Sequence, residues 1–353
     1  MSSTPIGLPE VIAGIIVLAL NLYALLGGGD FGGGLWDLLA SGSRKEEQRT
    51  LIAESIAPIW EANHVWLIIV VVMLFTAFPS AFSTLGIVLH IPISLILIGI
   101  VLRGSAFVFR SYGSRTKERR RTWGLAFAVA STIAPLLLGA VIGAIASGAV
   151  GEAARRLGTA SFADVFVAPW TSPFAIVVGL FALALFAFLA AVYSTVAART
   201  DELREDFRRR GLLSGVAVFV FAALALALSV GSAERVANGV LGAQWALPLH
   251  IVTGISAVIA LGALWVRRYR LARAAAALQV SCIIWGWAFA QLPYVIPTTL
   301  TIRDAAAPRA TLDLLVIGLI VGSIVLIPSL VYLYRTFSRS TSALSNQRPH
   351  GGE

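Results

Sequence analysis

Long apolar segments separated by short, arginine-rich polar segments make up most of the chain. Each apolar segment reaches the roughly 20 residues that a membrane-spanning helix needs. There are nine of them, at residues 8–28, 51–80, 82–109, 122–146, 172–197, 211–231, 245–266, 275–297 and 311–335. The pattern predicts an all-α polytopic membrane protein with about nine transmembrane helices.

Positive charge alternates between the loops that join these spans. The loops after spans 1, 3, 5 and 7 each contain at least three Lys or Arg residues, whereas those after spans 2, 4, 6 and 8 contain at most two. Because positively charged loops stay in the cytoplasm, the alternation predicts an N-terminus outside the membrane and a cytoplasmic C-terminus. The N-terminus lacks the basic segment of a cleavable signal peptide, so insertion is expected to depend on span 1.

Composition agrees with this assignment and excludes an ordinary soluble enzyme. Hydrophobic residues make up 58% of the 353 residues and charged residues 13%, against about 25% charged residues in soluble domains. The net charge of +9 is divided among short loops, which favours membrane lipid over nucleic acid as its partner. With the single cysteine Cys282, neither a disulfide framework nor a cysteine-based metal site is expected.

The order of spans indicates an internal duplication. Four spans are followed by four with similar loop charges, which predicts halves at 8–146 and 172–297 and an extra helix at 311–335. Together they form a single transmembrane domain, residues 1–335. Residues 336–353, rich in Ser, Arg and Gly, are predicted to be a disordered cytoplasmic tail.

Span 2 contains polar residues that anchoring alone does not require. Its polar and aromatic group consists of Glu54, Trp60, Glu61, Asn63, His64 and Trp66. An ionised residue at the centre of a membrane helix costs roughly 2.5–3.5 kcal/mol, which points to a role. Glu54 and Glu61 are seven residues apart, so they are predicted to share a helix face, which His64 joins three residues later. The spacing predicts a proton relay that opens to the cytoplasm, or else a structural network with a neighbouring helix.

His64 is a weak candidate for a ligand. No second histidine lies three or four residues away, so the helix provides no chelating pair for a metal. No metal ligand is therefore assigned to this chain.

Span 1 ends in a glycine-rich segment around Asp30. The segment Gly27–Gly34 reads GGGDFGGG. A straight helix from Leu8 to Ala40 would be about 50 Å long, against a bilayer core of about 30 Å. The glycines therefore predict a break, a bend or close helix packing, and the buried carboxylate of Asp30 predicts a function.

Span 3 returns toward the cytoplasm and contains Arg103. This residue precedes Arg110 by seven positions, which places it about 10 Å inside the membrane interface. A buried arginine needs a partner, so we expect it to pair with Glu61 or Asp30. The alternative is that its side chain extends to the lipid headgroups.

Several of these segments together resemble one known family. The motifs GGDFGGGLWDLLA (28–40), IAPIWEANHVWLI (56–68), FTAFPSAF (75–82) and VLRGSAFVFR (101–110) resemble subunit II of the cytochrome bd-type quinol oxidases. The C-terminal segments WGWAFAQLPYVIPTTLTIRDAAAPRATL (285–312) and IPSLVYLYRTF (327–337) are also similar to that family. The resemblance covers most of the chain and is weakest over residues 147–250.

The resemblance implies a subunit of a respiratory enzyme complex. Such complexes oxidise quinol and reduce oxygen to water in the bacterial cytoplasmic membrane, with protons taken from the cytoplasm. Haem b and haem d are held by subunit I, so this chain is expected to ligate no cofactor. Subunit II is implied to be two four-helix bundles plus one peripheral helix that supports the haem-bearing subunit, supplies a proton path and can hold a structural quinone. A small accessory subunit is a further implied partner.

The family's functional residues correspond to particular positions in this chain. Asp30 and Arg103 match the family's acid and arginine, and Glu61 stands where many members have Asp. His64 departs from the family pattern and is taken as a feature of a subgroup. Two alternatives remain: a stand-alone proton-coupled transporter or channel, and a purely structural partner in which Asp30, Glu61 and Arg103 form buried ion pairs.

Overall fold

The computed structural model describes residues 7–56, 60–110 and 116–346, and gives only the backbone for residues 60, 61, 117 and 334–346. These residues form fifteen helices and one β-hairpin, which confirms the all-α class. The helices are α1 (Leu8–Leu38), α2 (Lys45–Ile56), α3 (Trp60–Ala77), α4 (Pro79–Val88), α5 (His90–Val108), α6 (Lys117–Ala146), α7 (Ala149–Arg155), α8 (Phe162–Phe166), α9 (Ala168–Thr171), α10 (Pro173–Ala197), α11 (Asp201–Ser232), α12 (Glu234–Gly242), α13 (Ala246–Trp265), α14 (Tyr269–Gln291) and α15 (Arg309–Asn346). The hairpin pairs β1 (Tyr294–Ile296) antiparallel to β2 (Leu300–Thr301).

Eight of the described helices are long and apolar enough to cross a membrane on their own: α1, α5, α6, α10, α11, α13, α14 and α15. Helices α3 and α4 reach this length only together, and they are bent by 116°. The bend follows from Pro79 at the first position of α4, since proline has no backbone N–H and suits a helix start. The predicted span 51–80 therefore needs correction: it begins inside α2, and α3 ends at Ala77.

Helix α1 runs through the centre of the molecule and is unbroken over 31 residues. Along its length, Ile12 joins one buried apolar cluster, Tyr23 and Phe31 join a second, and Trp36 joins a third. It packs against α3, α6, α10 and α14. The continuous helix excludes the break that was one of the predicted outcomes of its glycine-rich segment.

The glycines of α1 instead allow close helix packing. A Cβ at Gly32 would overlap the backbone carbonyl of Phe186 on α10, and one at Gly34 would overlap the side chain of Ser131 on α6. Small residues at helix interfaces bring backbones together in membranes in this way. The sequence segment around Asp30 is thus held at the contact between three helices.

The spanning helices form two neighbouring groups. Helices α1, α3, α5 and α6 pack together, as do α10, α11, α13 and α14, and α10 joins the groups through α1 and α6. Helix α15 lies at the edge of the first group, where it packs against α3 and α1. Leu312 near its start is buried, and most of the apolar stretch that follows is not. The duplication into halves 8–146 and 172–297 stays a prediction.

The predicted ends of two segments differ from the structure. Helix α15 continues to Asn346, so residues 336–346 are helical where a disordered tail was predicted; residues 347–353 lie outside the described residues. Span 8 was predicted to reach 297, but α14 ends at Gln291 and the hairpin follows it.

Candidate functional site

A buried carboxylate joins α1 to α3. Asp30 is 3% exposed, and the side-chain amide of Asn63 donates a hydrogen bond to its Oδ2 at 2.5 Å. The same amide nitrogen also lies 3.4 Å from the carbonyl oxygen of Leu26, one turn earlier on α1. Asp30 and Asn63, predicted from different spans, are therefore brought together.

A buried arginine lies on the other side of Asp30. Arg103 is 1% exposed and its Nε donates to the hydroxyl of Ser131 at 3.0 Å. The guanidinium carbon lies 4.7 Å from the ring centre of Phe31 and 5.4 Å from that of Phe127, a geometry that stabilises the cation. Its Nη2 is buried without a hydrogen-bond partner. The alternative that Arg103 extends to the headgroups is therefore wrong.

Arg103 and Asp30 interact electrostatically, but they do not form a direct ion pair: the described hydrogen bonds of Asp30 come from Asn63, and that of Arg103 goes to Ser131. Of the two partners predicted for Arg103, Asp30 is thus only a neighbour. Pairing with Glu61 stays a prediction, because the side chain of Glu61 lies outside the described residues.

Glu54 occupies a different environment from Asp30. It lies on α2, its side chain is 50% exposed, and Nη2 of Arg199 lies 3.2 Å from one carboxylate oxygen. Its contacts do not reach Asp30 or Arg103. Residues 57–59, which separate α2 from α3, are outside the described residues, so the shared helix face of Glu54 and Glu61 stays a prediction.

Asp37 is a second buried carboxylate, which the sequence reasoning did not select. Both Nη atoms of Arg110 donate to its two oxygens, at 2.9 and 3.1 Å, and Nε of Arg49 lies 3.8 Å away. Asp37 follows Asp30 by seven residues, just as Arg110 follows Arg103. That matching spacing was the signal in the sequence that could have identified it.

Of the remaining predicted residues, His64 lies beside this acid and arginine group. The His64 ring is 6.1 Å from that of Tyr23 and 6.2 Å from that of Phe31, between ring centres. Trp66 packs against the central apolar cluster, and the side chain of Trp60 lies outside the described residues.

The family resemblance implies a haem-containing complex, and histidine is a common ligand of haem iron. His64 lies among aromatic rings, and Nδ1 of His90 contacts the carbonyl oxygen of Ile87 in its own chain segment. In the described ranges, no group of three or more His, Cys, Asp or Glu side chains is placed to hold a metal ion.

The fold and this site define a multi-pass α-helical membrane protein with a buried acid and arginine group near one end of its central helix. Residues 8–337 match the family model for cytochrome bd terminal oxidase subunit II, and the chain belongs to that family.

Individual relatives agree with this assignment. The chain is 27% identical over 324 residues to a putative cytochrome bd menaquinol oxidase subunit II of Bacillus subtilis, covering 90% of this chain and 92% of that one. It is 23% identical over 377 residues to the cytochrome bd-I ubiquinol oxidase subunit 2 of Escherichia coli, covering 96% of each. The solved structure of the bd oxidase from Geobacillus thermodenitrificans has the same fold, with a TM-score of 0.76, 23% identity and coverage of 94% of this chain and 98% of that chain.

Family membership makes the chain a subunit of a cytochrome bd quinol oxidase. Such a complex contains haem and a partner, subunit I. The chain is therefore part of a membrane oxidoreductase.

Proposed function

We propose that this chain supports the haem-bearing subunit I and delivers cytoplasmic protons toward the oxygen-reducing haem. In this proposal subunit I holds haem b and haem d, and the complex oxidises quinol and reduces oxygen to water in the bacterial cytoplasmic membrane. The proton route runs through Asp30, Glu61 and Arg103, with Glu54 at its surface. The N-terminus lies outside and the C-terminus in the cytoplasm, as the loop charges indicate.

The observation that carries the proposal is the environment of Asp30. It is a buried carboxylate that accepts a hydrogen bond from a neutral amide and has an arginine nearby but not directly paired with it. A direct ion pair would hold the carboxylate in its charged form. Without one, Asp30 can bind and release a proton, which a relay residue has to do.

The position of Asp30 on α1 supports entry from the arginine-rich end. Asp30 lies eight residues before the end of α1 at Leu38, which is about 12 Å along the helix axis. Beyond that end lie Arg44, Arg49 and the polar start of α2. A proton therefore has only the last two turns of α1 to cover between this surface and Asp30.

The stand-alone transporter is not favoured by the structure. A discontinuous first helix was one of the transporter traits considered from the sequence, beside a midplane acid and a possible repeat, and α1 is continuous. A purely structural role suits Asp37, whose carboxylate forms a direct ion pair with Arg110, better than it suits Asp30.

The test is Asp30→Asn in the purified complex, with quinol-driven oxygen consumption and the haem absorption spectrum as readouts. We expect the rate to fall about 10²-fold, the lower end of what positioned proton transfer contributes, while the spectrum stays unchanged. Asp304→Asn, in an exposed loop where Asp304 binds Thr301, is the matched control. A normal rate with a normal spectrum in Asp30→Asn would exclude the route through this residue.

A further inference from the structure

A polar recess lies at the arginine-rich end of the molecule, between the α1–α2 turn and the first turns of α11. Its volume is about 320 Å³, and the residues that matter for its chemistry are Ser41, Ser43, Arg44, Asp206, Arg209 and Arg210. Ligand sites begin at roughly 300 Å³. The recess is therefore large enough for a small polar group, and three of these side chains are cations against one anion.

One of the three cations is already neutralised. Arg44 donates two hydrogen bonds to Asp206, at 2.9 and 2.6 Å, and Gln48 donates a third at 2.8 Å. This hydrogen bonding to Asp206 raises the pKa of Arg44 above its ordinary value. Arg44 and Asp206 thus line one side of the recess as an ion pair with no net charge. The excess positive charge of the recess comes from Arg209 and Arg210.

Arg210 is held in place but keeps a donor unused. Its Nη2 donates to Gln48 at 2.7 Å, and the guanidinium lies 5.3 Å from the ring of Trp36 and 5.0 Å from that of Phe207. Its Nη1 is buried without a hydrogen-bond partner. A buried donor of this kind costs free energy unless a ligand or solvent satisfies it.

Arg209 is the exposed cation at the rim. Its side chain is 76% exposed, and it pairs with Glu205 at 3.3 Å, a carboxylate that Arg208 and Arg267 also contact. Because the single carboxylate of Glu205 is shared among three arginines, it does not fully compensate the positive charge of Arg209. That charge can therefore attract an anion.

The recess lies at the depth of lipid headgroups. Helix α1 ends at Leu38 and the apolar stretch of α11 begins at Leu212, on either side of the recess. Leu213 and Val216 follow Arg209 by four and seven residues, so the three share one face of α11, and both are exposed, Leu213 by 69%. An apolar surface therefore continues from the cationic rim into the membrane.

We propose that this recess binds the phosphate of an anionic membrane phospholipid. Arg209 and Arg210 contact the phosphate oxygens, for which the guanidinium geometry is suited, and an acyl chain lies along Leu213 and Val216. Basic recesses between helices on the cytoplasmic side recognise anionic headgroups in this manner. An acyl chain can contact the exposed apolar side chains of Leu213 and Val216, whereas free phosphate cannot. This apolar face therefore favours a lipid over free phosphate as the ligand.

The test measures binding of short-chain phosphatidylglycerol to the purified complex in detergent, by native mass spectrometry. Phosphatidylcholine of the same chain length and inorganic phosphate are the comparison probes. We expect phosphatidylglycerol to bind the wild-type complex at least about tenfold more tightly than phosphatidylcholine, as expected for one charge-assisted contact. Arg209→Gln should remove that preference.

Two further variants complete the design. Arg210→Gln should have the same effect, but Arg210 also stacks on Trp36, so Arg209→Gln, which alters an exposed side chain, decides the result if Arg210→Gln assembles poorly. Arg204→Gln removes a cation of the same helix that pairs with Asp201 and does not line the recess; it should bind like wild type. Equal binding of both lipids, or unchanged binding in Arg209→Gln, overturns the proposal. Displacement of phosphatidylglycerol by inorganic phosphate at the same affinity overturns the assignment to lipid.

Discussion

Asp37 and Arg110 form a two-hydrogen-bond ion pair, at 2.9 and 3.1 Å, that joins the end of α1 to the residues just after α5. Seven residues earlier on each segment, Asp30 and Arg103 are neighbours without a direct pair. The same two residue types thus occur at two levels of α1 with different geometry. The direct pair suits a structural role, and the looser one suits proton exchange.

Arg110→Gln should destabilise the complex strongly. It leaves Asp37, which is buried, with only Arg49 at 3.8 Å, and breaking a buried pair from one side costs about 3–5 kcal/mol. Thermal unfolding of the purified complex measures the loss as a lower Tm. The double variant Asp37→Asn with Arg110→Gln should recover part of it, since neither partner is then left charged. A Tm equal to wild type in Arg110→Gln would contradict the structural role.

Glu54 and Glu61 were predicted to lie on one proton route, and neutralising each in turn compares their contributions to the rate. Glu61→Gln should slow oxygen reduction about 10²-fold, as expected when a proton-transferring group is removed, with unchanged haem spectra. Glu54→Gln should leave the rate within about twofold, because Glu54 is half exposed and paired with Arg199, where water can replace it. Oxygen-electrode rates across the pH range compare the two variants. Equal effects of both would place Glu54 inside the route rather than at its surface.

Much of the fold was predictable from the sequence, because apolar length and loop charge are direct consequences of the bilayer. The positions of α1, α5, α6, α10, α11 and α13 follow from them. The bend at Pro79 and the hairpin after α14 depend on tertiary packing, which hydropathy does not report. The effect of the glycines in α1 could not be predicted for the same reason. Whether Gly32 bends its helix or allows a neighbouring helix to pack closely depends on where the backbone of Phe186 lies.

The candidate site was predictable only in part. Burial of Asp30 and Arg103 followed from the cost of charge in a membrane. Their hydrogen-bond partners could not be predicted from the sequence. Asn63 and Ser131 are ordinary polar residues that become partners only because of how their helices pack. Asp37 was overlooked because it lies at a helix end, where a carboxylate exposed to water is common. In the structure it is buried and paired with Arg110.

Gly32→Ala should impair assembly, because the new Cβ would overlap the carbonyl oxygen of Phe186, a backbone atom that cannot move aside. Overpacking of this kind costs about 1–3 kcal/mol and occasionally more. Gly14→Ala is the matched control on the same helix, since a Cβ there meets nothing within 4 Å and alanine favours helix. Yield and Tm of the purified complex should fall for Gly32→Ala and hold or rise for Gly14→Ala. Similar values for both would mean that α1 and α10 are not in close contact.

The chain expressed without subunit I should bind no haem. The proposed function assigns both haems to subunit I, and the His64 ring packs beside the rings of Tyr23 and Phe31. The measurement is the absorption spectrum of the purified single chain in detergent, with the full complex prepared in parallel to show that haem was supplied. A Soret band in stoichiometric amount would assign a haem ligand to this chain. His64→Phe, which keeps the aromatic contacts, would then show whether His64 is that ligand.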